Sequence, residues 1–345
     1  MTADLPGLPY APVDSFLRAA VPDLVGGEPW TAEVLSGGLS NITYRLHLPG
    51  GPVILRRPPL GGVLPSAHDM RREYRVLTAL AATTVPVPRT LALCDDPSVL
   101  GYPFYVMSQV DGAVLRTAED TGAVTPEVRA GLARELVSVL ADLHDVDIDA
   151  AGLSDYGRAE GYTARQIRRW GEQWARSATR ELPDMDRLLA RLADRVPARS
   201  DGTVVHGDYR LDNTIVELTG SAPRIAAVVD WELSTLGDPL ADLGLALTYW
   251  HDPGDAERGT IPVAAGVTAH EGFPTGREFA EAYARRTGRD LDALPFYLAL
   301  GAMKLAVVLE GVHARYVGGH TVSAGYEGVA EAVPALVARG LRLVT

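Results

Sequence analysis

Cysteine is nearly missing from this chain of 345 residues: Cys94 stands alone. An intramolecular disulfide is thereby excluded, as is a structural zinc site built on cysteines, which fits a reducing compartment. Lysine is as scarce. Lys304 is the one lysine among 32 basic residues, so no mechanism can draw on a second. No uncharged apolar run reaches the roughly 18 to 20 residues that a bilayer crossing requires; the run from Ala293 to Met303 is stopped by Lys304. The opening MTADLPGLPYAPVD has neither a basic start nor an apolar stretch, so no secretory signal is read and a cytoplasmic location is expected. Basic charge is not in excess: 32 basic against 44 acidic residues leave a net −12. Wholesale binding to nucleic acid or to an anionic membrane is disfavoured on that ground.

What is present is the composition of an ordinary globular protein, 47% apolar and 22% charged. The length fits two domains or one large domain split into lobes. Charge is uneven, with nine arginines against five carboxylates between Gly161 and Ser200, a local +4 that leaves −16 elsewhere.

The first third reads as mixed α and β. Val13, Phe16, Leu17 and Ala20 follow helical spacing, and Trp30 to Leu48 alternates around SGGLSN before a second extended run, PVILRR. Ser66 is a candidate cap for a helix from Ala67 to about Ala81, whose apolar stripe of Met70, Tyr74, Leu77 and Leu80 puts Glu73 beside the buried face. Two extended stretches follow, PRTLALC and YPFYVMSQV, separated by the turn residues DDPSVLG. Beyond a short linker at VDGAV, helices are expected at about 126 to 144, 161 to 177, 183 to 196, 239 to 250, 276 to 288, 292 to 316 and 325 to 340. Residues 203 to 233 interrupt them with short strands around polar loops. The whole is an α+β chain with a small β-rich N-terminal lobe, residues 1–110, and a larger helical C-terminal lobe, residues 111–345.

The strongest local signal is His206-Gly207-Asp208-Tyr209-Arg210-Leu211-Asp212-Asn213, followed by Asp230-Trp231-Glu232. Phosphoryl transfer needs one carboxylate to orient the attacking hydroxyl, and an amide and a second carboxylate to hold Mg²⁺ against nucleotide phosphates. Asp208, Asn213 and Asp230 supply that set. The five-residue step from Asp208 to Asn213 is that of the protein-kinase catalytic loop, and Asp230 ends the apolar run AAVVD, where a kinase carries its metal aspartate. His206 reads as a brace for the loop, and Asp238 with Pro239 as a helix start.

HGDYRLDN followed by VVDWELSTLGDPLADLG closely resembles the signature of the aminoglycoside phosphotransferase and choline kinase-like family. LRRPPLGGVLPSAHDMRREYRVLTAL resembles the branch whose kinase-like domain is fused to acyl-CoA dehydrogenases. The resemblance spans about residues 30 to 250. It implies a bilobal protein-kinase-like fold, ATP with Mg²⁺ (GTP being the alternative nucleotide), and transfer of the γ-phosphoryl group to a small-molecule hydroxyl.

On that pattern Ser36-Gly37-Gly38-Leu39-Ser40-Asn41 would cover the phosphates with backbone N–H groups, although a plain hairpin turn would use the same residues. Arg56 stands where kinases carry lysine and would grip the α and β phosphates, with Arg57 on the opposite face of the strand. Glu73 would brace Arg56. Met107 would sit behind the purine, with the backbone of Gln109 and Val110 on its edge; a buried edge strand is the competing reading. Glu232 projects to the side of Asp230 if the strand continues, near metal or substrate. Asp242 is expected to bond the catalytic-loop backbone, and Lys304 to snorkel or pair.

The leading function is thus a small-molecule O-phosphotransferase, and its rival is a nucleotide-binding pseudokinase. Arg165, Arg168, Arg169, Arg176 and Arg180 point to an anionic acceptor, a hydroxy acid or its CoA thioester, rather than an aminoglycoside; solvated helix arginines are the alternative. A separate acyl-CoA dehydrogenase partner is expected from the resemblance.

Overall fold

A computed structural model describes residues 5–36, 41–60, 69–198, 201–220, 222–319 and 328–345. Gly37, Gly38, Leu39 and Ser40, and the expected cap Ser66, lie outside the described residues.

Helix α1 (Tyr10–Ala20) and the short α2 (Pro22–Val25) lead into β1 (Thr31–Ser36), β2 (Ile42–Leu48) and β3 (Gly51–Arg57). After α3 (Met70–Leu80) come β4 (Thr90–Cys94), the four-residue α4 (Pro97–Leu100) and β5 (Phe104–Ser108). The five strands form one sheet in the order β1-β2-β3-β5-β4, all neighbours antiparallel. Alternation settles which face each residue takes. In β2, Ile42, Tyr44, Leu46 and Leu48 are buried while the residues between them are more open. They join Val13 and Leu17 of α1, Trp30 and Phe104 in an outer core.

Two details depart from the sequence expectation. The chain between β4 and β5 contains a helical turn, α4, because Asp96 caps it and Pro97 opens it. Helix α3 starts at Met70 and not at Ala67: the Asp69 carboxylate accepts hydrogen bonds from the N–H groups of Arg71 and Arg72. Its buried stripe of Met70, Val76, Leu77 and Leu80 carries Glu73 into the interior as expected.

The larger part follows with α5 (Ala118–Gly122), α6 (Pro126–His144), α7 (Tyr162–Ser177) and α8 (Pro183–Asp194). The island of short strands is β6 (Thr203–Val205), β7 (Thr214–Glu217), β8 (Arg224–Val228) and β9 (Thr235–Gly237), pairing β6 with β9 and β7 with β8. Then come α9 (Pro239–Tyr249), α10 (Ala256–Gly259), α11 (Gly276–Thr287), α12 (Leu294–Val317) and α13 (Ala332–Leu343). The last helix is displaced from its expected 325–340: a single turn at Val329–Glu331 precedes it and it runs to Leu343.

Helix α12 runs through Lys304 for 24 residues, close to the helix expected at 292 to 316. By length and composition alone this helix could cross a membrane, but its most apolar window is 72% buried and it packs on α7, α9 and α13 as a core helix. Its approach to α9 rests on two glycines: a Cβ on Gly244 would lie 2.6 Å from the Tyr297 backbone, and one on Gly301 would lie 3.0 Å from the Gly244 carbonyl. The main core joins Leu77 and Tyr105 of the sheet region to Leu136 and Leu140 of α6 and to Tyr209 and Trp231 of the island. Each such fully buried leucine stabilises the fold by about 1.5–3 kcal/mol. The polar loops of the island are therefore seated on a buried, packed base.

Candidate functional site

The loop between β6 and β7 carries His206 to Asn213. It folds back because Gly207 takes a left-handed φ of +83°, where a Cβ would also lie 2.7 Å from the Leu233 carbonyl oxygen. Asp242, in the first turn of α9 and fully buried, accepts the N–H of His206 at 2.7 Å and of Gly207 at 2.8 Å. Burial alone would raise this carboxyl; the hydrogen bonds from the His144 side chain and the His206 backbone outweigh it and hold Asp242 below its ordinary range. Asp238 caps α9 through the Leu240 N–H, with the Tyr297 hydroxyl donating to its other oxygen at 2.6 Å. Both aspartates act structurally, as the sequence indicates.

His206 is wholly buried. Its Nδ1 accepts the Asp208 N–H at 3.2 Å, which leaves Nε2 to donate to the Val229 carbonyl at 3.0 Å. The ring thus ties the loop to the strand that bears Asp230, a brace and not an acid.

Asp208 presents a carboxylate on the far side of this turn. The Asn213 Nδ2 donates both to the Asp208 carbonyl at 2.8 Å and to its Oδ2 at 3.0 Å. With Nδ2 so used, the Asn213 amide oxygen is turned to other partners. The β7–β8 hairpin brings the second acid near, since the Val229 N–H bonds the Asn213 carbonyl at 2.9 Å. Strand β8 nevertheless stops at Val228, short of the expected end. Asp230 takes a left-handed φ of 66°, and Trp231–Leu233 form a 3₁₀ turn. The extended continuation assumed for Glu232 is therefore absent, and the turn rather than strand alternation sets its position.

Arg56 reaches this site from the sheet. Its Nε lies 2.8 Å from Glu73 Oε2 and its Nη2 2.5 Å from Asp230 Oδ1. The strand arginine and the helix carboxylate are thus paired. Glu73 also accepts from the Tyr105 hydroxyl at 3.0 Å and from the Asn41 amide at 2.8 Å. Burial pushes its carboxyl up, and Arg56 and Tyr105 pull it down. Asn41 does not sit in an open loop: it is buried, and its amide bridges Glu73 to Glu232, 3.1 Å away. Burial and the Asp230 charge push the Glu232 carboxyl up to about 7, against the pull of Arg56. Arg57 lies on the other face, buried and bonded to the Gly7 and Pro58 carbonyls.

Arg56, Met107, Gln109, Val110, Asn213 and Asp230 line one cleft of about 650 Å³, floored by Ile54 and Leu77. Such a volume suits a nucleotide-sized ligand. The Gln109 side chain is engaged by Arg45 and Asp111. Ser36 ends β1. The donor set of one amide oxygen and one carboxylate, both on the cleft wall, fits Mg²⁺, which binds few protein oxygens and completes its shell with water and phosphate. Among the described residues no cluster of three His, Cys, Asp or Glu side chains forms a closed metal cage.

Near Asp208 stand Arg210 of the same loop and two residues outside any motif, Tyr249 and Lys304. Arg210 lies 3.4 Å from the Asp208 carboxylate and stacks over the Tyr249 ring at 4.9 Å. Burial and the Asp208 charge lift the Tyr249 hydroxyl well above its usual range. Lys304 donates to the Gly207 carbonyl at 2.7 Å, its ammonium lowered by burial against the pull of Asp208 and Asp242. Only helical spacing on α12 and α9 could have directed attention to Lys304 and Tyr249.

The model of the phosphotransferase enzyme family matches residues 31–297. Acyl-CoA dehydrogenase family member 11 of Gallus gallus is 37% identical over 314 residues, which cover 89% of this chain and 40% of that protein. The chain thus spans about two-fifths of that relative's length. A crystal structure from Ralstonia eutropha JMP134, provisionally named an aminoglycoside phosphotransferase, superposes with a TM-score of 0.81 at 35% identity, covering 96% of this chain and 97% of that one. Aminoglycoside 2'-phosphotransferase-IIIa in its GDP complex gives a TM-score of 0.60 at 15% identity, covering 96% and 98%, a likeness of fold.

Proposed function

Because the chain belongs to the phosphotransferase enzyme family and has its bilobal kinase-like fold, we propose that it moves the γ-phosphoryl group of ATP to the hydroxyl of a small molecule, with Asp208 as the catalytic carboxylate. The class, a small-molecule phosphotransferase acting on an alcohol group, follows from the family. The reading of residues rests on one observation above others: Asp208, Asn213 and Asp230 converge through the loop braced by His206 and Asp242, beside a cleft that Arg56 enters.

In this reading Asp208 orients the acceptor hydroxyl and takes its proton as the hydroxyl oxygen bonds to the γ-phosphorus and the bond to the β–γ bridging oxygen breaks. The two products are the phosphate ester and ADP. Asn213 and Asp230 would hold Mg²⁺, which when bound offsets phosphate charge. Arg56, fixed by Glu73, contributes a permanent positive charge to the phosphates. Met107 covers the base and the backbone at Gln109 and Val110 meets its edge. The Gly-rich segment from Ser36 to Asn41 would supply backbone N–H groups to the phosphates, while the Asn41 side chain stays on Glu73 and Glu232. GTP stays the alternative nucleotide. The division at residues 110 and 111, nucleotide lobe before and acceptor lobe after, belongs to the same proposal, as does a cytoplasmic location.

For the acceptor, the +4 charge of residues 161–200 favours a hydroxy acid or hydroxyacyl-CoA over an aminoglycoside. The relative that matches over 89% of this chain carries the acyl-CoA dehydrogenase name on one longer polypeptide, so the connection expected of a separate partner is met there within a single chain. Coupling of phosphoryl transfer to acyl-CoA chemistry is the form in which we retain it.

Measuring Mg²⁺-dependent ATP turnover against a panel of hydroxylated metabolites tests the proposal. Turnover stimulated by at least one acceptor, with a phosphate ester as product, is the expected result. Nucleotide binding with no transfer to any acceptor would favour the pseudokinase instead.

A further inference from the structure

Next to the catalytic loop, and separate from the nucleotide cleft, lies a second pocket of about 400 Å³. Arg72 of α3, Arg158, Arg165 and Arg169 of and before α7, and Lys304 of α12 line it, against the single carboxylate of Glu232. Gly207 forms part of its wall, while Arg210, Asp212 and Asn213 line the cleft, so Asp208 stands in the loop between the two. From these groups we propose that the pocket is the acceptor subsite for an anionic group, a carboxylate or a phosphate, held by Arg158, Arg165 and Arg169 with Lys304 joining the subsite to Asp208.

Five cations converge there without acidic partners. Among the described residues none of the five has a carboxylate within ion-pair distance. Their observed partners are neutral. Arg72 lies 4.3 Å over the Tyr156 ring, Arg169 6.0 Å from the Trp170 ring, and Arg165 donates to the carbonyls of Glu160 and Arg158. The Lys304 ammonium touches the Gly207 carbonyl and lies 5.5 Å from the Trp170 ring. Like charges packed so closely repel: Arg165 is held below its usual range by burial and then by Arg158 and Arg168. A bound anion would relieve that repulsion, and the planar guanidinium forks match carboxylate and phosphate oxygens.

The structure also sorts the arginines of the basic segment. Arg165 and Arg169 line the pocket; Arg168 is exposed outside it, Arg176 bonds Gln173, and Arg180 pairs with Glu310. Not the whole +4 but two of its arginines, joined by Arg72, Arg158 and Lys304 from other elements, make the basic site.

The inference rests on the phosphotransferase reading, and its test separates the two. Calorimetric titration of 3-hydroxybutyrate and of 3-hydroxybutyryl-CoA into the full chain, with kanamycin for comparison, reads binding directly. At least one anionic probe should bind more tightly than kanamycin. Arg165→Glu with Arg169→Glu should weaken that probe by about tenfold or more, Arg165→Ala with Arg169→Ala by less, and Arg168→Glu by no more than about twofold. A requirement for the free acid marks a carboxylate as the ligand, and a requirement for the thioester marks the CoA phosphates. Equal binding by the wild type and the double Glu variant, or tighter binding of kanamycin, overturns the subsite. Mg²⁺-dependent ATP turnover of the wild type is followed in parallel. Its absence with every acceptor counts against the phosphotransferase reading, whereas loss of the binding preference alone counts against the pocket.

Discussion

Asp242→Asn removes one charge and adds almost no volume, so its effect isolates the hydrogen bonds that hold the loop of residues 206–213. The carboxylate accepts His206 N–H on Oδ2 and Gly207 N–H on Oδ1, and His144 Nε2 lies 3.4 Å from Oδ2. An asparagine has one accepting oxygen. Whichever way its amide is turned, an NH₂ group faces one of the two backbone N–H groups, and that buried donor is left without a partner. A lost hydrogen bond to a charged group costs about 1.5–3 kcal/mol, and a stranded buried donor about 1–3 kcal/mol. The side chain leaves no cavity, so the destabilisation should total about 3–5 kcal/mol, from these two sources. Urea unfolding followed by circular dichroism, at unchanged m, measures it. The sign with pH is fixed. Asp242 in the folded chain lies below its ordinary value, so its contribution is complete above the unfolded value and is lost as pH falls through the folded one. Wild type and variant should therefore differ most near neutrality and converge in acid. A loss under about 1 kcal/mol at pH 7 would refute the view that this carboxylate holds the loop.

Other consequences are as definite. Asp230→Ala should abolish the Mg²⁺ dependence of ATP binding in titration calorimetry and Asn213→Ala should reduce it, because the carboxylate carries more of the metal's charge compensation than the amide does; unchanged dependence in the Asp230 variant contradicts the assignment. Gly207→Ala forces a Cβ to 2.7 Å from the Leu233 carbonyl at a φ of +83°, which should cost about 1–3 kcal/mol in urea unfolding, and a neutral result would show that the turn can relax. Glu232 titrates at about 7 against an ordinary 4.5, so its ionisation opposes folding increasingly as pH rises between those values. Allowing for partial exposure, Glu232→Gln should stabilise the nucleotide-free protein by about 1–2 kcal/mol at pH 8 and by little at pH 4.5. Melting curves across that range check it, and parallel curves for both proteins would contradict it.

The convergence of Asp208, Asn213 and Asp230 was legible because the three are packed into short spacings. Asp208 and Asn213 lie on one loop, and the apolar strand before Asp230 predicts the hairpin that returns it to Asn213. Arg56 and Glu73 could be placed from the order strand then helix, and their ion pair at 2.8 Å follows from it. Helix ends were less legible for a physical reason: Ser66 and Asp69 are both cap-type residues, and the sequence alone does not choose Asp69, whose carboxylate accepts the Arg71 and Arg72 N–H groups. The left-handed backbone at Asp230 was hidden because aspartate tolerates that conformation without requiring it. Asn41, Tyr249 and Lys304 were out of reach in their actual roles. Each depends on a long-range approach: β2 against the Glu73 helix and the Glu232 turn, or α12 against α9 where Gly244 and Gly301 let them meet.

The central claim is that Asp208 handles the acceptor hydroxyl while other residues bind the nucleotide. Single-turnover transfer of labelled phosphate from ATP by Asp208→Asn, beside calorimetric ATP affinity of the same protein, tests it most directly. The prediction is loss of transfer by at least about a hundredfold with nucleotide affinity within a few-fold of wild type. Transfer at a rate close to wild type, with any acceptor that supports turnover, would remove Asp208 from the mechanism.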